Sequence, residues 1–139
     1  HNVGSAFRSS DSFKVDKVFL CGICAVPPSA EIHKSALGAE NSVEWEHFDD
    51  TADAVRRLKQ DGYVVVSVEQ TENSVKLDEF VPDPDARYAL VFGNEVAGVG
   101  QDVVDASAFS LEIPQYGTKH SLNVSVSVGI VLWHIVSRR

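Results

Sequence analysis

Residues able to do chemistry gather in three segments of this 139-residue chain. In the middle, L-V-F-G-N-E-V-A-G-V, Leu90 to Val99, sets Gly93, Asn94 and Glu95 directly after an apolar run. A glycine there admits close backbone approach, and a carboxylate two residues on could orient a base or a substrate. Toward the end, I-P-Q-Y-G-T-K-H-S-L-N, Ile113 to Asn123, carries Lys119, His120 and Ser121 past Pro114 and Gly117. Ser121 precedes an apolar run reaching Val136 and reads as the N-cap of a helix. The free N–H groups at such a helix start, beside a Gly-containing loop, suit an anionic or carboxylate-bearing ligand. Near the beginning, N-V-G-S-A-F-R, Asn2 to Arg8, places a guanidinium on a weakly patterned helix. Taken singly, each feature has a plain alternative: a core helix with an ordinary cap, a solvated arginine, a loop carboxylate in water.

Other constellations carry less. Cys21 and Cys24 form C-x-x-C, but no second pair completes a four-ligand zinc set. A thioredoxin-type pair opens a helix, whereas this one ends an apolar run and leads into Val26, Pro27 and Pro28. The pair therefore reads as small apolar residues at a strand end. Gly93 to Gly100 has neither G-x-G-x-x-G spacing nor a G-K-S/T ending. His120-Ser121 lacks a G-x-S-x-G context, and adjacent residues rarely present a base to a nucleophile.

The elements that must position these residues alternate. Strands are expected at Val18 to Cys21, Val43 to Phe48, Tyr63 to Val68, Tyr88 to Phe92 and Phe109 to Ile113. Helices are expected over residues 2 to 13, near Glu31 to Leu37, from a cap at Thr51 to Asp61-Gly62, and near Asp102 to Ala106. Asp78 to Asp85, with Pro82 and Pro84, reads as a surface loop. In the last segment Val124, Val126 and Val128 alternate with serines as in a strand, yet about 15 uninterrupted residues exceed strand length, so a buried helix is expected. The whole is α/β, one domain with a mostly parallel sheet flanked by helices on both faces. Ligands in such sheets sit beyond the carboxyl ends of the strands, where Ser67 to Thr71, Gly93 to Glu95 and Pro114 to Gly117 all fall.

Composition sets bounds. The hydrophobic fraction of 44% and charged fraction of 23% are those of an ordinary globular domain. No run reaches the roughly 18 apolar residues of a membrane span and no signal peptide is visible, so a cytoplasmic location is expected. A net charge of -8 argues against a general nucleic-acid binder, and any RNA contact must use local basic groups.

The three segments, in this order, resemble the three motifs of the SpoU/TrmH family of the SPOUT superfamily, ribose 2'-O-methyltransferases that act on RNA. V-E-Q-T-E-N-S, Val68 to Ser74, is similar to segments that precede the middle motif in members acting on tRNA. The resemblance covers essentially the whole chain. It implies a SPOUT-type fold with a C-terminal trefoil knot, which ordinary chain rules would have rejected. It also implies a homodimer formed through the first and last helices, and a short strand ahead of Asn2 in a somewhat longer protein. S-adenosylmethionine is the implied cofactor, held by Val68, Gly93, Ile113, Ser121 and Leu122, though plain core packing is the other reading of Ile113 and Leu122. Arg8, Glu95, Ser121 and Asn123 are the implied catalytic set. Since arginine scarcely deprotonates, Arg8 is expected to hold an RNA phosphate and stabilise the forming alkoxide rather than act as the base. Asn2, Arg8, Lys34, Lys119 and His120 are expected to contact RNA, and no metal is implied. The expected substrate is a tRNA guanosine ribose. An rRNA substrate, a catalytically silent RNA-binding or cofactor-binding relative, and a nucleotide-binding oxidoreductase domain are the alternatives.

Overall fold

Three valines and a serine in a row explain the centre of the structure. In the computed structural model, which describes residues 2–94, 97–118 and 122–138, the segment Val64–Val68 is strand β3. β-branched side chains suit a pleated surface, and a strand covered on both faces needs no polar alternation. Val65, Val66 and Ser67 are all buried. The hydroxyl of Ser67 meets that of Ser107 at 2.5 Å, and Ser107 donates onward to the carbonyl of Val103, so the buried Ser67 hydroxyl has its partner.

Around β3 stand β5 (Tyr88–Phe92) on one side and β6 (Phe109–Glu112) on the other, with a short β4 (Val75–Lys76) beyond β6. β1 (Lys17–Cys21) and β2 (Glu44–Phe48) pair separately, so the expected sheet is divided into two. All of these ladders are parallel. The helices are α1 (Asn2–Ser12), α2 (Ala30–Ala36), α3 (Thr51–Gln60), α4 (Gln101–Ala106) and α5 (Val124–Arg138).

Alternate residues of β3 serve opposite faces. Val66 joins Leu77, Leu111, Val131 and Ile135 under α5, while Val65 joins Val55 and Val103 under α3 and α4. A third cluster, Phe7, Leu20, Ile32, Ala36, Ala39 and Val43, fastens α1 and α2 to β1. The serine and valine alternation at the start of α5 is a false strand signal: Val128, Val131, His134 and Ile135 point inward at helical spacing. His134 is buried because its Nε2 donates to the carbonyl of Phe80 at 2.7 Å.

Two caps differ from the sequence expectation. α3 is capped by Asp50, whose carboxylate accepts from the amide of Ala52 at 3.0 Å; Thr51 is the first helical residue. α5 is capped by Asn123 rather than Ser121. Its Oδ1 accepts from the amide of Ser125 at 2.8 Å, and its carbonyl takes the first helical bond, from Ser127. The expected loop over Asp78 to Asp85 begins as a 3₁₀ turn, Leu77–Glu79, which buries Leu77.

Candidate active site

Parallel strands deliver their outgoing loops to one edge, and β6, β3 and β5 are immediate neighbours. Val68 stands across from Leu111 on one side and Phe92 on the other. The next residue ties the start of its own loop to β6 and to the loop after β5. Glu69, leaving β3, donates its amide to the carbonyl of Leu111 in β6 at 3.1 Å. Its carboxylate Oε2 accepts from the amide of Val99, in the loop after β5, at 2.8 Å. Sequence reasoning singled out Val68 and passed over Glu69. V-E-Q-T-E-N-S contained the signal, but a carboxylate one step past a strand end looks like any solvated one until the returning loop is known.

The loop after β5 folds back on itself. The amide of Gly98 donates to the carbonyl of Asn94 at 3.0 Å, and the amide of Ala97 to Asn94 Oδ1 at 2.6 Å. Gly98 sits at φ +68°, a left-handed conformation open to glycine. Gly93 is glycine because the loop returns onto it. A Cβ there would lie 2.0 Å from the carbonyl carbon of Gly98. Glu95, Lys119, His120 and Ser121 lie outside the described residues.

Apolar walls line the same edge. Val68, Phe92 and Ile113 are half-buried and pack on the cluster beneath α5, so Ile113 does serve the core. Leu122 is half-buried just ahead of the Asn123 cap. Ser74, at the end of V-E-Q-T-E-N-S, donates to Glu112 Oε1 at 2.6 Å and holds that segment against β6.

Arg8 shares a groove with the start of α5. It is exposed on α1 and opens into a groove of about 520 Å³ shared with Ser5, Ser9, Ser35, Ser125 and Val126. Ser125 is two residues beyond Asn123, so the groove joins the first segment to the helix that follows the third. Gly4 permits the arrangement, since a Cβ on it would lie 1.9 Å from Ser35 Oγ and 2.6 Å from the carbonyl of Ile32. One cation and a rim of hydroxyls can hold a phosphate oxygen. Lys34 is exposed on α2 and lies outside the groove lining, and Asn2 begins α1 with its side chain outside the described residues.

A second open hollow, lined by Pro27, His33, Glu40 and Trp45, contains none of the expected site residues. Cys21 and Cys24 are free thiols. Burial pushes both up from the ordinary cysteine range, against a lowering hydrogen bond with Thr51 at Cys21, so neither is an activated thiolate. Among the described residues, no three His, Cys, Asp or Glu side chains cluster in a way that could hold a metal ion.

Residues 1–133 match the model of the SpoU rRNA Methylase family. Over 102 residues, 73% of the chain and 46% of the relative, the sequence is 30% identical to a tRNA (guanosine(18)-2'-O)-methyltransferase of Borreliella burgdorferi. The fold superposes on an AdoMet-bound rRNA methyltransferase from Sinorhizobium meliloti with a TM-score of 0.87 at 26% identity, covering 96% of this chain and 50% of that one. It superposes on the A. aeolicus TrmH/SpoU tRNA modifying enzyme with a TM-score of 0.85 at 28% identity, covering 100% and 69%. The chain spans about half the length of the curated relatives it matches.

Proposed function

Because the chain belongs to the SpoU rRNA Methylase family, we propose that it transfers a methyl group from S-adenosylmethionine to a ribose 2'-hydroxyl of RNA, a tRNA guanosine first among the candidates. The observation that carries this reading is that Glu69, leaving β3, bonds both β6 at Leu111 and the loop after β5 at Val99, while Arg8 shares a groove with Ser125 and Val126 at the start of α5.

The residues present fit the cofactor. Val68, Phe92, Ile113 and Leu122 offer an apolar wall for an adenine, and the tight Gly93 turn leaves backbone groups near the strand edge. Bound S-adenosylmethionine supplies a methyl carbon already activated by its sulfonium. What remains for the chain is alignment and charge. Arg8 holds a phosphate beside the target ribose and stabilises the oxygen as its hydroxyl loses a proton. Glu95 orients that guanidinium or the substrate, and Ser121 borders the cofactor. Asn123, as the cap of α5, fixes the end of the third segment. Asn2, Lys34, Lys119 and His120 add contacts to RNA, which a chain of net charge -8 must make locally.

The proposed enzyme is a homodimer with a C-terminal trefoil knot. An apolar stripe of Val126, Ile130 and Trp133 on α5, left 48%, 38% and 59% exposed, supports a partner surface there. The Sinorhizobium relative supports rRNA as the second substrate reading. Calorimetric titration with S-adenosylmethionine, followed by transfer of labelled methyl to bulk tRNA and bulk rRNA, tests the proposal. Binding with no label on either RNA would leave a silent relative, and tight NAD binding without S-adenosylmethionine binding would leave an oxidoreductase domain.

A further inference from the structure

We propose that Glu69 is a positioning residue that sets cofactor affinity by latching the loop after β5 onto the end of β3. The inference deepens the methyltransferase reading and rests on it for the identity of the ligand. Three contacts converge on this residue. Its amide is spent on Leu111 of β6, which fixes the backbone of Glu69 relative to two strands. Its carboxylate then reaches the Val99 amide at 2.8 Å, a charge-assisted bond. The same carboxylate fills the space beside Gly98, where a Cβ would lie 2.7 Å from Oε2 and 3.2 Å from Oε1.

Within the loop, the Asn94 contacts tie Ala97 and Gly98 back to Asn94, but none of them fixes this turn to another strand. The Val99 bond lies just past Gly98 and anchors this side of the loop to the residue that follows β3. Gly93, at the near side, directly follows Phe92, the last residue of β5. With Glu69 in place the loop is held at both sides. Without it, the loop must be ordered each time a ligand binds, and ordering a segment weakens affinity. The chemistry of transfer is untouched, because Glu69 acts on the loop and not on the reacting atoms.

The experiment measures S-adenosylmethionine affinity by calorimetry, turnover at saturating cofactor, and amide exchange at Val99 in the whole chain, comparing wild type with Glu69→Ala and Glu69→Gln. Glu69→Ala is expected to weaken cofactor binding about 10-fold, the scale of one lost charge-assisted bond. Turnover at saturation should stay within about 3-fold, and the Val99 amide should exchange faster. Glu69→Gln keeps an acceptor oxygen and should recover most of the affinity. Unchanged affinity in Glu69→Ala, or a Gln variant as weak as the Ala one, overturns the proposal. Should Glu69→Ala fail to fold, the Gln variant decides through Val99 exchange: retained protection supports the latch and wild-type-like affinity with lost protection refutes it. If wild type binds no S-adenosylmethionine, the functional reading falls, whereas the latch still stands or falls on Val99 exchange.

Discussion

Gly93 and Gly98 face each other across the loop after β5, so closely that a Cβ on Gly93 would lie 2.0 Å from the carbonyl carbon of Gly98 and 2.3 Å from its oxygen. Both obstructing atoms are backbone, and neither can rotate aside as a side chain would. Gly93→Ala is therefore expected to destabilise the fold by ~1–3 kcal/mol through overpacking, and to displace the loop that borders the proposed cofactor pocket. Thermal denaturation and cofactor titration of the same variant check this. An unchanged Tm would show that the loop opens without penalty.

The sequence made β3 the plainest strand because its residues are β-branched and its middle is buried on both faces; it made the loops legible only in part. A common edge for the loops at Ser67 to Thr71, Gly93 to Glu95 and Pro114 to Gly117 followed from alternation of strands and helices, and the strands those loops leave, β3, β5 and β6, are neighbours. Cap assignments failed where two capable residues stood close together. Asp50 beside Thr51 and Asn123 near Ser121 each won because their side-chain oxygens reach the second helical amide, a matter of backbone path and not of residue type. β4 escaped notice because two residues show no period. Glu69 was missed for a different reason: its partner, Val99, is thirty positions away, and nothing local distinguishes it from Glu72.

Asn123→Ala removes the side-chain oxygen that accepts from both the amide and the hydroxyl of Ser125, at 2.8 and 2.6 Å. A loss of about 1 kcal/mol is expected, with Asn123→Asp and Asn123→Ser retaining most of the stability. Denaturant melts of the three variants separate capping from any contact with substrate. If the Asp variant is as stable as wild type but transfers no methyl, the amide has a second task beyond the cap.

Ile130 lies at the middle of the exposed stripe on α5, flanked by Val126 and Trp133. Trp133 already packs on Phe13, with ring centroids 6.1 Å apart, so Ile130 is the cleaner probe of an outside partner. Ile130→Glu should convert the proposed dimer to monomer in light scattering while the thermal unfolding of the monomer stays cooperative. A wild-type chain that is monomeric at high concentration would contradict the dimer proposal.

Glu46 gives a pH dependence with a definite sign. Lys17 at 2.9 Å, then Arg57 at 2.9 Å, hold its carboxyl below the usual glutamate range against the opposing effect of burial. A carboxyl lowered in the folded state contributes stability above the unfolded value of about pH 4.3 and loses it as pH falls through the lower folded value. Wild type should therefore lose Tm on acidification from about pH 5 to pH 3 more steeply than Glu46→Gln, with the two curves converging at the acid end. Parallel curves would mean that the two ion pairs are fully screened by water.

Arg8 carries the most demanding prediction, because its position on α1 makes it dispensable for the core. Its neighbour Phe7 is fully buried while Arg8 itself is exposed in the groove beside Ser125. Arg8→Ala should leave Tm and S-adenosylmethionine affinity nearly unchanged and lower methyl transfer by about 100-fold or more, the scale of one lost charge-stabilising donor. Arg8→Lys should recover only part of the rate, since an ammonium keeps the charge but lacks the planar fork that grips two phosphate oxygens. Loss of cofactor binding in Arg8→Ala would move the guanidinium into the cofactor pocket. Full activity would remove it from the reaction and leave the groove at the start of α5 without a catalytic role.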